Sequence, residues 1–148
     1  MSKISVCLSP DLISHHNDLN NKTVVVIDIL RATSCMLTAF MEGAIEIKVF
    51  DNAESCYSMK SEGYLVAGER DGKKLDGFDL GNSPYDYLDA ETRNKKIAIT
   101  TTNGTKALLA SKNAKNVLIG AFLNVTALAD HLLRSGDEVL LFCAGWKG

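Results

Sequence analysis

The 148-residue chain is 46% hydrophobic and carries 16 Lys and Arg against 18 Asp and Glu, for a formal charge of −2 and a pI near 5.9. That length and apolar content suit one domain with a core of its own, and the charge balance supplies no general basic field for nucleic acid or an anionic membrane. Its apolar runs fall far short of the roughly 20 residues that cross a bilayer, so no nucleic-acid partner, no membrane partner and a cytoplasmic location are expected.

In chain order, residues 3–8 read as a strand, at an edge or antiparallel, and lack the regions of a signal peptide. Residues 9–22 are polar without a helical period. Residues 23–30 form a continuous Val- and Ile-rich run, the pattern of a parallel strand covered on both faces, and Asp28 is its one charge. From 32 to 42, Met36, Leu37, Phe40 and Met41 recur at helical spacing, with Gly43 as the stop. The alternation continues with a strand at 45–50, a helix at 53–61 closed near Gly63, and a strand at 64–67. It resumes with a strand at 96–101, a helix at 104–111, a strand at 116–119, a helix at 125–134 and a strand at 138–142.

Strands alternating with helices over short connections predict the α/β class. The expected architecture is a three-layer α/β/α sandwich with a mostly parallel or mixed sheet, in a single domain over residues 1–148. The chain stops at Cys-Ala-Gly-Trp-Lys-Gly, directly after a strand and before the helix that the alternation calls for. The domain is therefore expected to be missing its C-terminal portion. The cysteines at 7, 35, 56 and 143 make no CxxC pair and read as reduced thiols. His15, His16 and His131 do not form a metal cluster.

Ligands of parallel α/β sheets bind beyond the carboxyl ends of the strands, and those ends are polar here. Asp28 can hold Mg²⁺ or act as a carboxylate nucleophile, with Arg31 at the following helix start on a phosphate oxygen. A helix-capping Asp paired with a nearby Arg is the alternative. A haloacid-dehalogenase mechanism is excluded because Leu30, two residues after Asp28, stands where its second Asp would be. The run Thr100-Thr-Thr-Asn-Gly-Thr-Lys offers hydroxyls, amides and a helix start to a phosphate or sulfonate. It lacks the Walker spacing, and a simple Thr/Asn cap is again the alternative.

The insertion at 69–84 holds Glu69, Asp71, Asp76 and Asp79 among three glycines. Phe78 and Leu80 are expected to anchor it and to aim Asp79 and Asn82 inward, which favours function for Glu69 and Asp79 and a surface place for Asp71 and Asp76. Cys143 before a glycine-containing turn suggests a Cys-x₅-Arg phosphatase loop, but the sixth position after it lies just past residue 148, so no Arg can be read there. A structural cysteine is the stronger reading. Trp146 could line a site or pack beneath it.

Five strings, in order, carry a resemblance that covers nearly the whole chain from Val24 onward. They are Val-Ile-Asp-Ile-Leu-Arg-Ala-Thr-Ser, Gly-Glu-Arg-Asp-Gly with Gly-Phe-Asp-Leu-Gly-Asn-Ser-Pro, Thr-Thr-Thr-Asn-Gly-Thr-Lys-Ala-Leu, Phe-Leu-Asn-Val-Thr-Ala and Cys-Ala-Gly-Trp-Lys-Gly. Together they resemble the 2-phosphosulfolactate phosphatase family. The resemblance implies an α/β/α fold and Mg²⁺-dependent hydrolysis of 2-phosphosulfolactate, or of a related phosphorylated 2-hydroxy acid, to sulfolactate and phosphate, as in coenzyme M biosynthesis. Members of that family continue beyond the Trp-Lys-Gly turn.

With that chemistry, Asp28, Glu69 and Asp79 are expected to organise Mg²⁺ and water, and Arg31 and Arg70 to hold phosphate or sulfonate. Thr102, Asn103 and Gly104 would take the other anion, with Asn124 and Lys147 at the rim. The expected partner is a small-molecule phosphorylated acid, and assembly into a homo-oligomer stays open. The alternative function is a small-anion binding domain or an inactive truncated phosphatase fragment.

Overall fold

A computed structural model describes residues 3–88 and 90–146. Its strands are β1 (Ile4–Cys7), β2 (Lys22–Ile27), β3 (Glu46–Val49), β4 (Leu65–Arg70), β5 (Lys73–Lys74), β6 (Lys96–Thr100), β7 (Asn116–Gly120) and β8 (Glu138–Cys143). Its helices are α1 (Ala32–Met41), α2 (Ala53–Ser58), α3 (Gly104–Ala110) and α4 (Val125–Ser135). Short 3-10 turns, among them Pro10–His15, Leu19–Asn21 and Pro84–Tyr87, fill several connections.

The strands divide between two sheets. The first has the order β1-β8-β2-β7 and is wholly parallel. The second has the order β3-β6-β4-β5, in which only the β4 to β5 pairing is antiparallel. β1 lies at an edge, parallel to β8.

Side-chain alternation along the strands explains how the helices are shared. On the first sheet, Val24, Val26, Leu140 and Phe142 face Ala107 of α3, while Val25, Ile27, Val139 and Leu141 face α4. On the second, Ala67, Ile97 and Ile99 pack on Ala32, Cys35, Met36 and Ala39 of α1, while Val66 and Ala98 face Cys56 of α2. Ile119 of β7 also packs against the α1 cluster. Each sheet thus has helices on both faces, and α1 with α3 forms the layer common to both. Removing an aliphatic side chain of this size from water stabilises the fold by about 1.5–3 kcal/mol.

α4 covers its side thinly. None of its residues is buried, and an open apolar cleft of about 770 Å³ separates it from the first sheet. Leu133 is 80% exposed and Phe122, just before the helix, 77%. Among the described residues, no helix is long and apolar enough to cross a membrane.

Two elements differ from expectation in ways that bear on function. β4 runs on to Arg70 because Glu69 and Arg70 pair with Lys74 and Lys73 of β5, so Glu69 belongs to the strand and not to the loop. α2 is short and passes into a 3-10 turn, Met59–Glu62, closed by Gly63 at φ 83°, a left-handed conformation that suits glycine.

Candidate active site

Asp28 follows the last residue of β2 at the turn into α1. Its N–H donates to Thr33 Oγ1 (3.0 Å), that hydroxyl donates to the Gly120 carbonyl on β7 (2.8 Å), and the Thr33 N–H returns to the Asp28 carbonyl (3.0 Å). A neighbouring hydroxyl, Ser34 Oγ, donates to the Ile29 carbonyl (2.6 Å). Burial pushes the Asp28 carboxyl above its ordinary value and the charge of Glu69 adds to this. The backbone N–H groups of Ala32, Gly104 and Arg31 offset only part of the rise. A Cβ on Gly104 would stand 2.7 Å from Asp28 Oδ2 and 2.5 Å from Ala32 Cβ. A glycine there lets the start of α3 close on the carboxylate.

Glu69, only 6% exposed, has a different environment. Its Oε1 accepts the Thr102 N–H (2.7 Å) and its Oε2 the Gly72 N–H (2.8 Å). Burial works against its ionisation, but these two donors, helped by the Thr102 hydroxyl and the Arg70 charge, override it and hold the carboxyl below the usual value. Glu69 therefore ties the β4–β5 turn to the β6–α3 turn. The latter is braced by Thr101 and Thr105, each N–H donating to the other's hydroxyl (3.1 Å both ways), which satisfies donors at the start of α3.

Between these turns lies a cavity of about 120 Å³, space for about four waters. The first sheet and the start of α1 contribute Asp28, Arg31 and Trp146, the second sheet contributes Glu69, Asp71, Thr102 and Asn103, and the insertion contributes Asn82. The cavity thus stands where the carboxyl ends of the two sheets meet. Asn82 Oδ1 and Thr102 Oγ1 are buried without a hydrogen-bond partner among the described residues. Such a buried polar atom costs about 1–3 kcal/mol.

Of the residues singled out from the sequence, the structure brings Asp28, Arg31, Glu69, Thr102 and Asn103 to the cavity, with Gly104 directly behind Asp28. It does not bring Asp79. The insertion doubles back beside β4, so Asp79 Oδ2 accepts the Val66 N–H (2.9 Å) and Oδ1 pairs with Lys60 (2.7 Å). Val66 lies three residues before Glu69, about 10 Å along the strand.

Arg70 donates to the Glu69 carbonyl (2.6 Å) and to Thr100 Oγ1 (3.0 Å) and does not line the cavity. Asn124 closes its own turn, with Oδ1 accepting the Ala121 N–H and Nδ2 donating to the Ile119 carbonyl, both at 3.0 Å. Lys147 lies outside the described residues. Cys143, half-buried beside Ile27, does not line the cavity either. Burial pushes the thiols of Cys35 and Cys56 up to about 12 and about 11, which leaves them protonated and unreactive.

Asp71, read as a surface residue, lines the cavity because the β4–β5 turn folds over it. The signal that could have found the hairpin is Asp71-Gly72, a two-residue turn with both residues at positive φ (51° and 79°), although β5 itself is only a pair of exposed lysines. Asn82 was expected to point inward, but no role was attached to it.

Among the described residues, no three His, Cys, Asp or Glu side chains converge as metal ligands. Mg²⁺ does not need such a cage. It is commonly bound by one or two carboxylates with neutral oxygens, waters and substrate phosphate, and Asp28 with the two unpartnered oxygens fits that chemistry.

Parallel strands from two sheets ending on one small polar cavity define an α/β protein of the small-ligand-binding type. The chain belongs to the 2-phosphosulpholactate phosphatase family, whose match spans residues 7–148. It is 42% identical over 135 residues to a probable 2-phosphosulfolactate phosphatase of Caldanaerobacter subterraneus subsp. tengcongensis, covering 88% of this chain and 56% of that protein. A namesake in Clostridium beijerinckii is 39% identical over 150 residues, covering 99% and 63%. Another in Thermotoga petrophila is 40% identical over 127 residues, covering 86% and 55%. The chain spans a little over half the length of these relatives.

Proposed function

We propose that the chain carries the site of a Mg²⁺-dependent phosphatase acting on 2-phosphosulfolactate, or on a related phosphorylated 2-hydroxy acid, to give the hydroxy acid and phosphate. The reaction is of the coenzyme M biosynthesis type and is placed in the cytoplasm. The observation that carries this reading is the cavity itself, where two carboxylates pushed in opposite directions stand beside a guanidinium. One of the pair is thereby suited to take a proton and the other to stay a fixed charge.

Arg31 binds a phosphoryl oxygen and opposes the charge that builds on it. Asp28, the carboxyl that takes a proton more readily, orients the attacking water and can hold its proton at a carboxylate oxygen. Glu69 stays ionised and keeps the Gly72 and Thr102 backbone in place, so its part is to position the walls. The side chains of Thr102 and Asn103 offer hydrogen bonds to the second anionic group of the substrate. Asp28 with neighbouring oxygens would hold Mg²⁺, and the bound ion would supply charge neutralisation for the phosphoryl group.

The test is phosphate release from phosphorylated 2-hydroxy acids, with and without Mg²⁺, by this chain and by a relative of full length. Release that requires Mg²⁺ is expected. A second reading is small-anion binding without hydrolysis, for which the Arg31 guanidinium and the Thr102 and Asn103 side chains in the cavity lining are sufficient. Calorimetric binding of the phosphorylated acid by this chain, with release confined to the longer relative, would select it.

A further inference from the structure

Most polar groups around the cavity already have partners. Both Glu69 oxygens accept backbone N–H groups, and the N–H groups of Ala32, Gly104 and Arg31 lie close enough to the Asp28 carboxylate to favour its charge. Asn82 Oδ1 and Thr102 Oγ1 are each buried and without a hydrogen-bond partner among the described residues. The Thr102 hydroxyl lies close enough to the Glu69 carboxylate to help keep it ionised, and the Thr102 oxygen accepts no hydrogen bond among the described residues.

A carbonyl oxygen can only accept. An ionised phosphate or sulfonate oxygen also only accepts, so Asn82 Oδ1 cannot be meant for the anionic part of a ligand. Its complement is a donor or a hard cation, and with the Asp28 carboxylate in the same lining a hard cation answers both groups at once. The lining thus offers both kinds of complement, the Arg31 guanidinium for an anion, and Asp28 with two neutral oxygens, near the carboxylates of Glu69 and Asp71, for a cation.

The backbone before Asn82 is fixed as a ligand's should be. The Gly81 N–H donates to Asp86 Oδ2 (3.0 Å), and the fully buried Tyr87 donates its hydroxyl to the Gly81 carbonyl (3.0 Å). A side chain carried on a braced turn can present an oxygen at little further cost in entropy.

We propose that Asn82, through Oδ1, is a ligand of a divalent cation bound beside Asp28, with Thr102 Oγ1 completing the uncharged side of the site. This rests on the Mg²⁺ requirement in the function proposed above.

The test is calorimetric titration of Mg²⁺ alone, and separately of inorganic phosphate without Mg²⁺, into the metal-free 148-residue chain, its Asn82→Leu variant and its Asn82→Asp variant. Asn82→Leu is expected to weaken Mg²⁺ binding by about tenfold or more, with the metal-free melting temperature unchanged. Asn82→Asp, which keeps the oxygen and adds charge, is expected to bind Mg²⁺ at least as tightly as the parent and phosphate less tightly. The assignment falls if Asn82→Leu binds Mg²⁺ within about twofold of the parent, or if Asn82→Asp loses Mg²⁺ as fully as Asn82→Leu. Should the parent itself take up no Mg²⁺ at millimolar concentration, this assignment and the Mg²⁺ requirement fail together, whereas an indifferent Asn82→Leu removes the assignment alone.

Discussion

Asp28 and Glu69 are carboxylates in one cavity, and what separates them is the number of donors aimed at each against the extent of burial. For Asp28, burial and the neighbouring charge prevail. For Glu69, the Thr102 and Gly72 N–H groups prevail. Substituting Asp28 by Asn should therefore reduce Mg²⁺-dependent phosphate release by about 10²-fold or more. The melting temperature should stay equal to or above that of the parent, because the ionised form is the one that burial disfavours. Steady-state phosphate release and thermal unfolding on the same preparation check both halves, and undiminished turnover would remove Asp28 from the mechanism.

Among the elements, those legible in the sequence are the ones whose pattern reflects burial. The Val-rich run of β2 and the helical spacing in α1 gave both strand and helix, and with them Asp28 and Arg31 at their junction. Thr102 and Asn103 were legible for the same reason, standing between β6 and α3. The insertion was not legible in this way, because its course depends on backbone pairing with β4 and on a two-residue exposed strand, neither of which leaves an apolar period. Asp79 was consequently expected at the wrong end of β4, and Asp71 was set on the surface. Arg70 and Asn124 show the complementary difficulty. Each stands next to a strand end, as a ligand-binding residue would, yet each spends its polar atoms on nearby backbone or hydroxyl groups.

At the opposite ends of the first sheet's strands, Asp137 joins three elements. It accepts from Lys115 (2.6 Å), Thr23 Oγ1 (2.7 Å) and Asn116 Nδ2 (3.3 Å). Lys115 above all, then Thr23, hold its carboxyl below the ordinary value. The folded chain thus takes up this proton at a lower pH than the unfolded chain does. The stabilisation is complete above the unfolded pKa, about 4, and disappears as pH falls through the folded value. Unfolding midpoints measured from about pH 6 to about pH 2 should fall more steeply for the parent than for Asp137→Asn. Parallel curves would show that Asp137 contributes nothing to the acid limb.

At the scale of the whole molecule, burial is uneven. The layer of α1 and α3 is enclosed between two sheets, whereas α4 stands over an open cleft with apolar walls. Exposed apolar surface of this extent binds hydrophobic dyes. The native chain is expected to enhance the fluorescence of anilinonaphthalene sulfonate, and Leu128→Lys, within the cleft, to reduce that enhancement severalfold without changing far-ultraviolet circular dichroism. Equal fluorescence from the two proteins would place the dye elsewhere.

The cavity receives walls from both sheets, and the two sheets are not hydrogen-bonded into one. They are joined through shared helices and through local contacts such as the Gly104 N–H reaching Asp28. Their carboxyl ends therefore resemble the jaws of a vice on a common pivot. An occupant held by Arg31 on one jaw and Thr102 on the other, as proposed above, would resist their separation, and its binding energy would also become resistance to unfolding.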